Sequence, residues 1–183
     1  IFPNGLINKF TITAFNEVWY RKAPTEFGLV QNITQFFHPL DLVGEWNRVY
    51  GPNGFLQYQF MVPFGQEAMF RRSIDKISAS GHVSFLNVLK TFGEGNPAPM
   101  SFPREGWTLT VDIPITPGLD RLCNELDDMV LEAGGRLYLA KESRTTAEMI
   151  ERMYPRIDEW RTTRASVDPE GVFRSDLSRR LGL

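Results

Sequence analysis

With 183 residues, 42% of them hydrophobic and 23% charged, the chain is long enough for one domain with a substantial core. A formal net charge of −2 supplies no global field for nucleic acid or an anionic membrane, so no nucleic-acid partner is expected. A single cysteine, Cys123, excludes an internal disulfide and a cysteine zinc site, and two histidines, His38 and His82, are too few for a histidine metal centre, so no metal is expected.

No apolar run approaches the roughly 20 residues that cross a bilayer, and no basic-then-apolar leader opens the chain. A first residue of Ile1 rather than methionine fits a piece or a processed product of a longer chain. Cytoplasmic, membrane-associated and periplasmic placement all stay open.

Residues 4–21 read as a helix capped by Asn4, with Leu6, Ile7, Phe10, Ala14, Val18 and Trp19 near helical spacing. Lys22, Pro24 and Gly28 mark a loop. Leu40 to Tyr50 can hold a short helix, and Gly51-Pro52-Asn53-Gly54 is a turn. Phe55 to Val62 alternates as a strand: Phe55, Gln57, Gln59 and Met61 on one face, Leu56, Tyr58, Phe60 and Val62 on the other. A helix over 65–79 buries Met69, Phe70, Ile74 and Ile77.

His82 to Phe92 is a second strand, then a Gly- and Pro-rich loop runs over 93–103. Trp107 to Ile115 is a third strand, with Thr108, Thr110 and Asp112 opposite its apolar face. Residues 117–133 form a helix with Pro117 in its first turn and a stripe of Leu119, Leu122, Cys123, Leu126, Met129 and Val130. Arg136 to Ala140 is a short strand. Thr145 and Glu148 match a capping box, Pro155 interrupts the helix toward Trp160, Asp168-Pro169-Glu170-Gly171 is a turn, and Ser175 caps a last helix.

This order predicts an α+β fold: a mainly antiparallel sheet with helices on one face, plus a helical C-terminal tail. The other face then carries Gln57, Gln59, Ser84, Lys90, Thr108, Thr110 and Asp112 among Phe55, Met61, Leu86 and Val88. Such a face is either solvated or the mixed wall of a pocket.

Four stretches carry a family resemblance. They are Phe37-His38-Pro39-Leu40-Asp41 through Trp46-Asn47-Arg48; Gly54-Phe55-Leu56-Gln57-Tyr58-Gln59-Phe60; Gly135-Arg136-Leu137-Tyr138-Leu139-Ala140-Lys141; and Val167-Asp168-Pro169 with Phe173 and Ser175-Asp176. In this order and spacing the chain resembles the decaprenylphosphoryl-β-D-ribose oxidase family of the vanillyl-alcohol-oxidase-like flavoenzymes.

The resemblance implies a substrate-binding cap over 1–135 and a segment, 136–183, that packs on an N-terminal FAD-binding domain absent from this chain. The reaction it implies is oxidation of a ribose secondary hydroxyl on a polyprenyl-phosphate carrier by hydride transfer to FAD, before a keto-reductase partner gives the arabinose epimer. A peripheral membrane contact is compatible with that substrate. Lys141 and Gln59 are implied as catalytic, and Tyr138, Lys141 and Gln57 at the flavin. Gln59, Leu86, Val88, Lys90, Thr108 and Thr110 are implied around the sugar.

Thr108 and Thr110 depart from the family pattern, where asparagine and cysteine occur, which removes any thiol chemistry there. Without the FAD domain the chain is expected neither to hold FAD tightly nor to turn over. Each residue also has a plainer reading, such as surface for Lys141 and His82, or core packing for Trp46 and the Phe36-Phe37 pair. Competing functions are another sugar or aldonolactone oxidase of the same superfamily and a non-catalytic binding module.

Overall fold

The computed structural model describes residues 6–38 and 44–183. It falls into two compact units, Ile1–Phe55 and Leu56–Leu183.

The first unit contains α1 (Lys9–Lys22), α2 (Ile33–Phe37) and a 3-10 helix (Trp46–Tyr50). The cap of α1 is Asn8: its side chain accepts from the Thr11 N–H at 3.0 Å, and Thr11 accepts from the Asn8 N–H at 3.1 Å. Asn4, the cap read from the sequence, lies outside the described residues, as do residues 39–43 of the expected 40–50 helix. The apolar spacing of α1 buries nothing: Phe10, Val18 and Trp19 are all exposed. The Gly51–Gly54 turn forms, with Gly51 and Gly54 at positive φ.

The strand β1 (Phe55–Pro63) leads into the second unit, which continues with α3 (Glu67–Ala79), β2 (Asn87–Phe92), β3 (Gly106–Pro114) and α4 (Leu119–Glu132). There follow β4 (Arg136–Leu137), α5 (Ala147–Met153), α6 (Ile157–Val167) and α7 (Asp176–Leu181). The sheet order is β2-β3-β1-β4. β2 pairs antiparallel with β3, Val88 opposite Thr110 and Lys90 opposite Thr108. β4 pairs antiparallel with β1, Phe60 opposite Leu137. The fold is α+β, as the pattern of elements requires.

One face of the sheet forms the core. Tyr58, Phe60 and Val62 of β1 and Leu109, Val111 and Ile113 of β3 pack with Met69, Phe70 and Ile77 of α3 and with the α4 stripe. The C-terminal residues Ile150, Met153, Tyr154, Ile157 and Leu181 enter the same core. The compact division therefore comes after Phe55, and residues 136–183 share one unit with the sheet.

Several boundaries differ from the sequence reading for local reasons. β2 begins at Asn87 instead of His82, because Ser84 Oγ donates to Leu86 O and the Asp112 N–H is met by both groups, so side-chain bonds replace a ladder. Ile74 is 38% exposed; Ser73 takes the inward position on α3, its hydroxyl bonded to Met69 O. Pro117 precedes the helix, whose N-cap is Gly118 at φ 89°. β4 stops after two residues. The α5 cap is Thr146, which accepts from the Met149 N–H, while the Thr145 hydroxyl is buried and donates to Asp127. Ser175 caps α7 as expected, in a capping box with Ser178. No described helix is long and apolar enough to cross a membrane.

Candidate functional site

Strand alternation sends Gln57 and Gln59 to the face of the sheet opposite the helices, beside Thr108, Thr110 and Asp112 of β3. Val88 and Lys90 share that face through their pairing with Thr110 and Thr108. Leu86 lies just ahead of β2, its carbonyl accepting the Asp112 N–H at 3.1 Å.

The polar groups form a network. Gln57 Nε2 donates to Asp112 Oδ1 at 2.8 Å, Gln59 Nε2 to Thr108 Oγ1 at 3.2 Å, and Thr108 Oγ1 to Phe60 O at 2.8 Å. The face is not bare at its centre: Met61, Thr108, Thr110 and Asp112 are all buried, while Gln57 and Gln59 are half-buried and Lys90 is exposed. Of the two readings of this face, a fully solvated one does not hold at its centre. Part of the cover is aromatic. Phe102, from the loop before β3, stacks on Tyr138 at 4.6 Å and meets Phe92 edge-on at 5.5 Å. The Tyr138 ring thus already has a partner within the chain.

Lys141 sits on the turn that leaves β4, where the Tyr138 N–H donates to Gln59 O at 2.9 Å and the Lys141 N–H to Tyr138 O at 3.0 Å. Burial lowers its pKa from the ordinary lysine value; the Asp112 carboxylate pulls it back up and Lys90 pushes it down. Lys141, Asp112 and Lys90 therefore share one electrostatic neighbourhood.

A crevice of about 10 Å³ separates Gln57, Gln59, Tyr138 and Lys141. That volume holds about one water, far too little for a sugar or an isoalloxazine ring. Any such ring has to be enclosed with the help of another surface. The groove of about 610 Å³ between α3 and α4 lies on the helical side and includes His82. Its cations are engaged by Glu125, which lies 2.5 Å from Lys76 and 4.0 Å from Arg121. The His82 ring meets Thr116 Oγ1 at 2.9 Å, on that same side. His38 is exposed in the first unit.

Two groups were given no site role in the sequence reading, although Asp112 was placed on the polar face. Asp112 continues the alternation of Thr108 and Thr110, so its face was legible, but its ties to Gln57 and Lys141 were not. Asp127 interrupts the apolar stripe of α4 and is buried. It accepts from Tyr58 Oη at 2.8 Å, from Thr145 Oγ1 at 3.2 Å and from Arg144. Burial and the Asp127 charge raise the Tyr58 phenol well above its usual value.

Comparison with known proteins matches residues 112–181 to the D-arabinono-1,4-lactone oxidase family model. A decaprenylphosphoryl-β-D-ribose oxidase of Mycolicibacterium smegmatis is 61% identical over 183 residues, all of this chain and 40% of that protein. An uncharacterised protein in the mprA 5′ region of Streptomyces coelicolor is 43% identical over 131 residues, 71% of this chain and 36% of that protein. The chain spans about two fifths of the length of these curated relatives. Along its whole length, then, the chain is similar to a decaprenylphosphoryl-β-D-ribose oxidase, as the four sequence motifs suggested.

Proposed function

We propose that the chain is the C-terminal, substrate-covering part of an FAD-dependent oxidase that converts a polyprenylphosphoryl ribose to its 2′-keto sugar. The observation that carries this reading is the grouping of Gln57, Gln59, Asp112 and the desolvated Lys141 on the side of the sheet away from the helices.

These residues fit a flavin. Its reduced pyrimidine edge is negative, and the face offers one partly desolvated cation and two neutral amides that both donate and accept. When bound in the intact enzyme, FAD supplies the hydride acceptor. Lys141 holds positive charge where negative charge develops and polarises the reacting hydroxyl. Gln59 orients the sugar, and Gln57, fixed by Asp112, borders the ring. Val88, Leu86, Thr108 and Thr110 wall the sugar; Lys90, exposed at the outer strand, meets the carrier phosphate. Tyr138, stacked on Phe102, forms an aromatic floor beside the flavin. The small crevice supports a supplied N-terminal FAD domain as the other wall. A keto-reductase partner then takes the product.

The match over 112–181 favours a second reading, an aldonolactone oxidase with the same cofactor. Anaerobic flavin reduction in the full-length protein separates them. Reduction by a prenylphosphoryl ribose and not by an aldonolactone is expected; the reverse pattern assigns the second reading. No reduction by either leaves the binding module.

A further inference from the structure

The turn that carries Lys141 is held from behind by the last helix. The residue after Lys141, Glu142, turns its carboxylate inward, with a side chain only 5% exposed. Glu142 Oε1 accepts the backbone N–H groups of Arg144 and Thr145. Glu142 Oε2 accepts from Arg180 Nη2 at 2.7 Å, and Arg180 Nη1 donates to Thr145 O at 2.5 Å. Arg180 lies in the last turn of α7. Its neighbour Leu181 is fully buried in the core, and Ser175 fixes the other end of the helix by a capping box. The core thus sets the position of α7, and one guanidinium reaches back to grip both a side chain and a carbonyl of the turn.

The far end of the turn is anchored separately, by Arg144 and Thr145 to Asp127 of α4. That anchor also holds Tyr58, the β1 residue between Gln57 and Gln59. Without Arg180, the Glu142 side chain would keep only the two amide donors and a buried carboxylate would lose its cation, leaving the backbone bonds of Lys141 to Tyr138 O and of Glu142 to Leu139 O to hold that end of the turn.

We infer that Arg180 is a positioning residue that latches the turn through Glu142 and so holds the Lys141 ammonium over the polar face of the sheet. The inference rests on the proposed role of Lys141 only for its consequence in turnover. Its geometric content stands apart from that role.

The test uses full-length holoenzyme with Arg180→Met, Arg180→Lys and Glu142→Gln, the last keeping an acceptor oxygen for the two amides while removing the charge that attracts Arg180. Modification of Lys141 by an amine reagent is measured against Lys90 by peptide mass spectrometry at fixed pH, beside kcat and KM. In Arg180→Met and Glu142→Gln the Lys141 to Lys90 ratio is expected to change severalfold. The loss of kcat is expected to be on the order of tenfold or more, because small misplacements of a reacting group cost that much. KM should stay within about twofold. Arg180→Lys should restore most of both.

An unchanged labelling ratio in folded Glu142→Gln, or in folded Arg180→Met, overturns the latch. Should Arg180→Met fail to fold, Glu142→Gln and Arg180→Lys carry the comparison. If the wild type reduces no flavin with any sugar, the proposed function fails while the labelling ratio still decides the latch.

Discussion

The side-chain amide of Gln57 donates to a carboxylate oxygen of Asp112 at 2.8 Å, joining β1 to β3 across the face of the sheet that the helices leave uncovered. The same carboxylate raises the pKa of Lys141 against the effect of burial. One buried acid therefore orients a neutral amide and sustains a cation, which is what a site for an electron-rich ring needs.

A pH prediction follows from these directions. The role proposed for Lys141 requires the ammonium, and burial lowers its pKa, so flavin reduction should fall with rising pH before the ordinary lysine range is reached. Asp112→Asn keeps an acceptor for Gln57 but removes the charge that raises Lys141. The alkaline limb should then move to lower pH. A limb unmoved in Asp112→Asn would uncouple the two residues. Rates of anaerobic flavin reduction across pH check this.

Leu126, fully buried at the centre of the α4 stripe, should cost about 2–5 kcal/mol when truncated to alanine. Chemical denaturation measures it. A midpoint equal to wild type would remove α4 from the core.

Gly106 is a second stability test. A Cβ there would lie 2.0 Å from Val62 O, a backbone atom of the neighbouring strand that cannot swing aside. Gly106→Ala should destabilise by at least about 1–3 kcal/mol, the usual cost of overpacking, by prising β3 from β1. Thermal unfolding reads the loss, and hydrogen exchange should show it concentrated in β1 and β3.

Cys123 is fully buried, and burial pushes its thiol up to about 11. An aromatic disulfide reagent at pH 8 should leave it untouched in the native chain and modify it in denaturant. Rapid native modification would place Cys123 outside the core.

The long periodic elements were legible in the sequence because burial enforces their pattern. The alternation through Phe55–Pro63 and Gly106–Pro114 and the stripe of α4 are each dictated by one apolar face. The misread points are those where a side chain competes with the backbone: Ser84 shortening β2, Thr146 in place of Thr145 at α5, Ser73 in place of Ile74 on α3. α1 shows the opposite failure, since its helical spacing marks no buried face. Within the candidate site, the shared face of Gln57, Gln59, Val88, Lys90, Thr108 and Thr110 follows from the two-residue period. The nearness of Lys141 to Asp112 does not. It depends on β4 ending after two residues and on the turn that Glu142 and Arg180 hold, neither of which leaves a local signal.

The central claim is that Lys141 serves hydride transfer on this face. The direct measurement is anaerobic reduction of the flavin by a prenylphosphoryl ribose in full-length wild type and in Lys141→Met. Lys141→Met should retain flavin and fold but reduce at a rate lower by on the order of a hundredfold or more, as expected when a charge-stabilising group is lost. Equal rates in the two proteins would contradict it.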